Sequence, residues 1–215
     1  MQSFSNKSGI NIIYKIIETV QKNKDYLSEI DGLIGDGDHG INMNKGFTMC
    51  AKKLEGHDED ITSALKILAR TLLSDIGGSM GPLYGSFFNS MAKASVNERL
   101  IDSKVFLSML EAGVSSIKRI GGAKVGDKTL IDVLSPALDA YTQSINNGHD
   151  FKSALKSMQA AAITGRDSTI NLVAKLGRSS RLGERSRGVL DAGAASCCLI
   201  LCTMAEEMLE LINDI

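Results

Sequence analysis

Apolar residues recur every three or four positions along most of this chain, and almost no proline interrupts them. Only Pro82 and Pro136 occur in 215 residues. Proline inside a helix removes a backbone hydrogen bond and crowds the preceding turn, so its scarcity leaves long helices available. Ile10, Ile13, Ile17 and Val20 share one helical face, with Ser8 placed to cap it. Ile61, Leu65, Leu68 and Leu72 repeat the pattern, as do Val105, Leu107, Met109, Leu110, Val114 and Ile117 after the candidate caps Asp102 and Ser103. Leu130 to Ile145, Phe151 to Ile170 and the very apolar Leu190 to Leu211 predict three more helices, and shorter ones fall near 25–31, 41–55 and 80–95. No segment alternates apolar and polar residues long enough to predict a strand. The expectation is an all-α chain of about eight helices, joined by short links and therefore running up and down as antiparallel neighbours. No fixed repeat or low-complexity tract appears, and residues 1–215 are expected to form a single domain.

Composition narrows the function. A hydrophobic share of 43% beside 23% charged residues describes a globular chain with material for a sizeable core. A net charge of −1 lacks the basic surplus that phosphate neutralisation along a nucleic acid requires, and 5% aromatic residues without tryptophan offer few base-stacking platforms. No nucleic-acid partner is therefore expected. The first twenty residues contain no apolar core followed by a small-residue cleavage site, so no signal peptide is read there. The longest nearly apolar run, 192–205, falls short of the ~20 residues of a membrane span, and no membrane role is expected. Cys197, Cys198 and Cys202 share that run while Cys50 stands apart, and no CxxC pair occurs. Reduced thiols packed in a buried helix are the simplest reading, which points to a reducing cytoplasm.

Glycines gather in four links, at 35–40, 77–85, 121–126 and 177–193. Helix C-caps explain any one of these, but four clusters that each lead into polar residues and a new helix fit backbone approaching a ligand closely. In the first cluster, DGLIGDGDHGINMNKGF, Asp31, Asp36 and Asp38 stand within eight positions beside His39. Crowded carboxylates become favourable around a hard cation. An EF-hand loop begun at Asp36 would place Phe47 where the bidentate glutamate belongs, so Mg²⁺ bound with phosphates fits better than a calcium cage.

The stretch GGAKVGDKT, 121–129, approaches a P-loop but inserts Asp127 before Lys128 and follows a helix rather than a strand. What survives is a glycine turn opening a helix whose free N–H groups suit anionic oxygens, with Asp127 as an alternative helix cap. GGSMGPLYG, 77–85, carries the same ambiguity. In GRSSRLGERSRG, 177–188, Arg178, Arg181, Arg185 and Arg187 face a lone Glu184; beside a metal–phosphate site such guanidinium forks would neutralise phosphate oxygens. Of three histidines only His39 lies in a cluster, while His57 and His149 have polar neighbours expected at the surface, so a catalytic triad has little support. The residues alone lead to an all-helical, cytoplasmic binder of Mg²⁺ with a nucleotide or another phosphate.

Four stretches in one order, IGDGDHGINMNKGF, GGSMGPLYGSFF, GDKTLIDVLSPAL and GRSSRLGERSRGVLDAGAAS, resemble the nucleotide-binding L subunit or domain of dihydroxyacetone kinases across nearly the whole chain. The resemblance implies an eight-helix antiparallel barrel with the nucleotide site at one end. It implies Asp31, Asp36 and Asp38 as ligands of two Mg²⁺ ions. It implies nucleotide contacts at His39, Gly40, Ile41 and Asn42, at Gly78, Ser79 and Met80, and at Gly121, Thr129 and Leu130. Arg178, Asp191, Ala192 and Gly193 fall where the family's loop folds over the nucleotide, and Asp31, Asp36, Asp38 and Arg178 would support phosphoryl transfer.

By the same resemblance, a nucleotide unit without a substrate domain is a phosphotransferase subunit of the phosphoenolpyruvate-dependent type. ADP or ATP is its cofactor, recharged by a phosphotransferase-system donor subunit. A separate substrate-binding kinase subunit holds the short ketose, and a homodimer is compatible. An ATP-dependent subunit for another triose or tetrose, and a regulatory Mg–ADP sensor, are the alternatives. Two positions depart from the family pattern: Met80 replaces a small hydroxyl residue, and Asp191-Ala192-Gly193 replaces Asp-Pro-Gly.

Overall fold

The computed structural model describes residues 2–56 and 59–212; the expectation for His57 lies outside them. Nine α-helices carry the described chain: α1 Ile10–Lys22, α2 Lys24–Ile34, α3 His39–Leu54, α4 Ile61–Asp75, α5 Met80–Ala94, α6 Ser103–Gly121, α7 Ile131–Asn146, α8 Phe151–Ser168 and α9 Ala192–Leu211. Eight of them close a ring. α1 packs on α3, each helix from α3 to α8 packs on the next, and α9 closes back onto α1. The expected eight-helix antiparallel barrel is the observed architecture. The additional helix, α2, packs instead across the starts of α3 and α9, where Leu27 and Ile30 form a small apolar cluster with Ala192 and Ala195.

The ring follows from the periodic faces. Ile12, Ile13, Ile16, Ile17 and Val20 of α1 are buried, as are Leu65, Leu68 and Leu72 of α4 and Met109, Leu110, Val114 and Ile117 of α6. Phe47, Tyr84, Phe87 and Phe88 fill one part of the interior, and Phe106, Tyr141 and Phe151 another. α9 is buried almost all round, with its thiols Cys197 and Cys198 inside, Cys202 half-buried and all four cysteines of the chain free. At 20 residues α9 is longer than its apolar run and passes a membrane span's length and composition; 67% of its apolar window is buried in the barrel, which marks it as a core helix.

Of the start signals read from the sequence one acts as predicted and three do not; Ser103, the second candidate beside Asp102, is the first residue of α6 rather than its cap. Asp102 caps α6 by accepting from the Lys104 and Val105 N–H groups, both at 2.9 Å. Ser8 does not cap α1: its hydroxyl turns back to Ser5, and Gly9 occupies the cap position. Asp127 does not cap α7 either; its carboxylate accepts from Lys124 N–H and pairs with Lys175. Two three-residue strands, β1 Ser3–Ser5 and β2 Leu100–Asp102, pair antiparallel with Phe4 opposite Ile101. They are too short for alternation to reveal. Pro136 lies inside α7 and offers no N–H to the Asp132 carbonyl. Gly165 of α8 presses on that same oxygen, which an added Cβ would meet at 2.2 Å.

Candidate functional site

Because the ring runs up and down, α3, α5, α7 and α9 all begin at one rim, and α4, α6 and α8 end there. A cavity of about 430 Å³ opens at this rim, within the ordinary range of small-molecule sites. The links between helices line it: Asp31 to Asn42, Gly77 to Leu83, Ile117 to Leu130, Leu176 to Ser179 and Asp191 to Gly193 each contribute residues. Four helix N-termini facing one space give free N–H groups and positive dipole ends suited to anionic oxygens.

Asp31, Asp36 and Asp38 converge on one wall, each offering an oxygen within 4.8 Å of the others'. Asp31 projects from the last turns of α2, which runs on to Ile34, beyond the 25–31 expected from sequence. Its Oδ2 also accepts from the His39 N–H at 3.3 Å, tying the end of α2 to the start of α3. Between them Gly37 turns the chain at φ +75°, a left-handed conformation natural to glycine. The three carboxylates form a hard, acceptor-only set that matches Mg²⁺. Arg178 reaches the same wall from the loop between α8 and α9, contacting Asp36 and lying 4.0 Å from Asp38.

Of the residues implied as nucleotide contacts, His39, Asn42, Gly78, Ser79, Met80, Gly121, Thr129, Leu130, Arg178, Asp191, Ala192 and Gly193 all line the cavity. Gly40 and Ile41 lie outside its lining. Gly40 packs on α2, where an added Cβ would meet the Lys24 carbonyl oxygen at 2.0 Å. The Ile41 side chain points to solvent. Of the four arginines at 178–187 only Arg178 lines the cavity; Arg187 bonds Glu184 and the Asn171 carbonyl.

The His39 ring turns inward. It is buried, and its Nε2 lies 2.9 Å from Ser196 Oγ on α9, which in turn lies 2.7 Å from the Tyr84 hydroxyl on α5. Burial pushes the His39 imidazole down to about 4, so it stays neutral near pH 7, and burial raises the Tyr84 phenol. Asp191 caps α9 by accepting from Ala194 N–H at 2.7 Å. Burial raises its carboxyl to about 7, against the pull of that N–H and of Lys128.

Three polar residues of this rim escaped the sequence reading. Asp132, buried in the first turn of α7, accepts from Gly126 N–H at 2.6 Å and Thr129 N–H at 2.8 Å, which fixes the glycine turn. Ser196 and Tyr84 carried no signal beyond helical spacing. The apolar lining by Ile34, Leu83, Ile117, Ile120 and Leu176 gives the cavity a second character beside the acidic wall. A flat, poorly solvated group fits the former and a phosphate–metal pair the latter.

Fold and rim together define a helical barrel whose inter-helix links form an acidic, anion-oriented cavity. The DAK2 domain model matches residues 33–206, and the chain belongs to that family. It is 40% identical over 190 residues to the PEP-dependent dihydroxyacetone kinase 1, ADP-binding subunit DhaL, of Listeria innocua, covering 88% of this chain and 90% of the relative. It is 35% identical over 204 residues to the corresponding DhaL subunit of Escherichia coli, covering 94% and 97%. Among solved structures it resembles the dihydroxyacetone kinase of C. freundii in complex with AMP-PNP and Mg²⁺. That likeness has a TM-score of 0.71 at 23% identity and covers 96% of this chain and 35% of the other.

Proposed function

We infer that the chain is the ADP-binding subunit of a phosphoenolpyruvate-dependent dihydroxyacetone kinase, with residues 1–215 as one nucleotide-binding domain. The observation that carries this is the three-aspartate wall with Arg178 against it, placed where four helices begin. Relatives matched along nearly their whole length bear the same subunit name.

Asp31, Asp36 and Asp38 would hold Mg²⁺, in our reading two ions, which would neutralise the nucleotide's phosphate oxygens when bound. The glycine turn at Gly78 and Ser79 and the starts of α3, α7 and α9 direct backbone N–H groups at the same oxygens. Arg178, always charged, balances the charge that spreads over the transferring phosphoryl group. The apolar lining accepts the base. No side chain need attack phosphorus, because phosphoryl transfer asks chiefly for alignment and charge neutralisation. The acceptor, a short ketose, is held by a separate substrate subunit, and a phosphotransferase-system subunit recharges the nucleotide in the cytoplasm.

The test is reconstitution of the purified chain with a substrate subunit and dihydroxyacetone, supplied with either a phosphorylated carrier protein or ATP. Mass analysis of nucleotide released on denaturation accompanies it. ADP in the purified protein and turnover with the phosphorylated carrier are expected. No nucleotide and no transfer with either donor would overturn the reading.

A further inference from the structure

We propose that Lys128 is a positioning residue for the reaction: its buried ammonium staples both ends of the loop that carries Arg178 over the cavity. Lys128 is 0% exposed. Its Nζ donates to four backbone carbonyls, those of Thr169 at 2.8 Å, Leu172 at 3.2 Å, Ser186 at 2.7 Å and Val189 at 2.6 Å. The first two close the segment leaving α8, and the last two open the segment entering α9. Three ammonium hydrogens shared among four oxygens hold the two ends of the loop to one point.

The chain between these anchors carries Leu176, Gly177, Arg178 and Ser179 into the cavity lining. Single bonds also cross this excursion: Ser186 Oγ accepts from Ala174 N–H at 2.9 Å, Gly188 N–H donates to the Ile170 carbonyl at 2.7 Å, Arg187 donates to the Asn171 carbonyl, and Lys175 pairs with Asp127 at 3.1 Å, whereas Lys128 gathers four carbonyls from both ends at one point. The Arg178 side chain is 58% exposed, and among the described residues its ion pairs are with Asp36 and Asp38. Its backbone anchor therefore decides where the guanidinium can reach.

Lys128 also sits at φ +62°, a left-handed conformation that non-glycine residues hold only when their surroundings enforce it. The same residue, itself part of the cavity lining, precedes Thr129 and Leu130, which also line it. One side chain thus couples the turn before α7 to the loop before α9. A near-match to a phosphate-binding lysine in sequence becomes, in the fold, a lysine whose ammonium is held in a cage of carbonyls.

The proposal rests on the kinase reading only for its activity readout. The experiment uses the full chain reconstituted with its substrate subunit and phosphoryl donor. Lys128→Met should keep Mg²⁺-dependent ADP binding within a few-fold of wild type. Turnover should fall by about 10²-fold, the scale of a 1 Å misplacement, and trypsin should cut faster at Arg178 to Arg187. Lys128→Gly suits the backbone angle and opens the carbonyl cage; methylammonium or K⁺ should restore its turnover and trypsin resistance together.

Unchanged turnover and loop protection in both variants would overturn the proposal, as would a loss of ADP binding equal to the loss of turnover. If Lys128→Met does not fold, the glycine variant decides: lack of rescue by either cation overturns the staple. A wild-type assembly that transfers no phosphoryl group overturns the kinase reading instead, and the trypsin and cation-rescue readouts still judge the staple.

Discussion

His39 Nε2 and Ser196 Oγ stand 2.9 Å apart, joining the first residue of α3 to the first turns of α9 beneath the cavity. The Tyr84 hydroxyl closes the arrangement from α5, 2.7 Å from the same serine oxygen. Three of the four helices that begin at the rim are thus held in register by one buried hydroxyl. Ser196→Ala leaves a buried imidazole nitrogen without its partner and the phenol with only the Gly193 carbonyl at 3.4 Å. We expect a loss of roughly 1–3 kcal/mol, read by urea unfolding. Tyr84→Phe should cost less, since Ser196 keeps both His39 and the Gly193 carbonyl.

Gly40→Ala should disturb the three-aspartate wall without touching it. The added methyl would collide with the Lys24 carbonyl and with Ser28, forcing α2 away from α3. Overpacking of this kind costs about 1–3 kcal/mol. Because α2 carries Asp31, Mg²⁺ affinity in calorimetric titration should fall along with the melting temperature. Ile41→Ala, on the solvent side of the same turn, should leave both nearly unchanged.

Ligand-linked stability should depend on the carboxylates. With Mg²⁺ and ADP at a hundred times their dissociation constant, the wild-type chain gains about 2.7 kcal/mol. At this chain length that corresponds to a rise in Tm of very roughly 5–10 °C. A chelator should abolish the rise. Asp36→Asn should abolish most of it at the same concentrations, and thermal melts with and without ligand check both.

Asp191 sets a pH trend in the ligand-free protein. Its folded carboxyl titrates at about 7, above the ordinary 3.8, with Lys128, Asp132 and Asp31 as its charged neighbours. Between those values the folded state holds a proton that the unfolded state has released. Stability contributed by this group is therefore full below pH 3.8 and declines as pH rises toward 7. Denaturation midpoints measured across that window should show a downward component that Asp191→Asn removes.

Much of this molecule was legible in its residues. Apolar spacing predicted α1, α4 and α6 to α8 because each buries one continuous face, α9 showed itself by an almost unbroken apolar run, and Asp102 declared its helix start. The aspartates and Arg178, far apart in sequence, are together in the fold. The sequence did not reveal α2 as a crosspiece, since a helix packed on helix ends has the same periodicity as one in the ring. Ser8 and Asp127 illustrate the limits of cap prediction: each found a nearer backbone or side-chain partner than the helix. Lys128 and Ser196 were hidden for a different reason. Their partners are backbone carbonyls or single side chains from remote segments, which leave no local pattern.

The closed ring with all its lining links at one rim has a mechanical consequence. A molecule seated there touches the joints between several pairs of staves at once, from the α2–α3 joint to the α8–α9 joint. It therefore acts as a hoop on the barrel, and letting it go means loosening several joints in concert rather than lifting one flap. A barrel so hooped ties the stability of the whole ring to the occupancy of its rim.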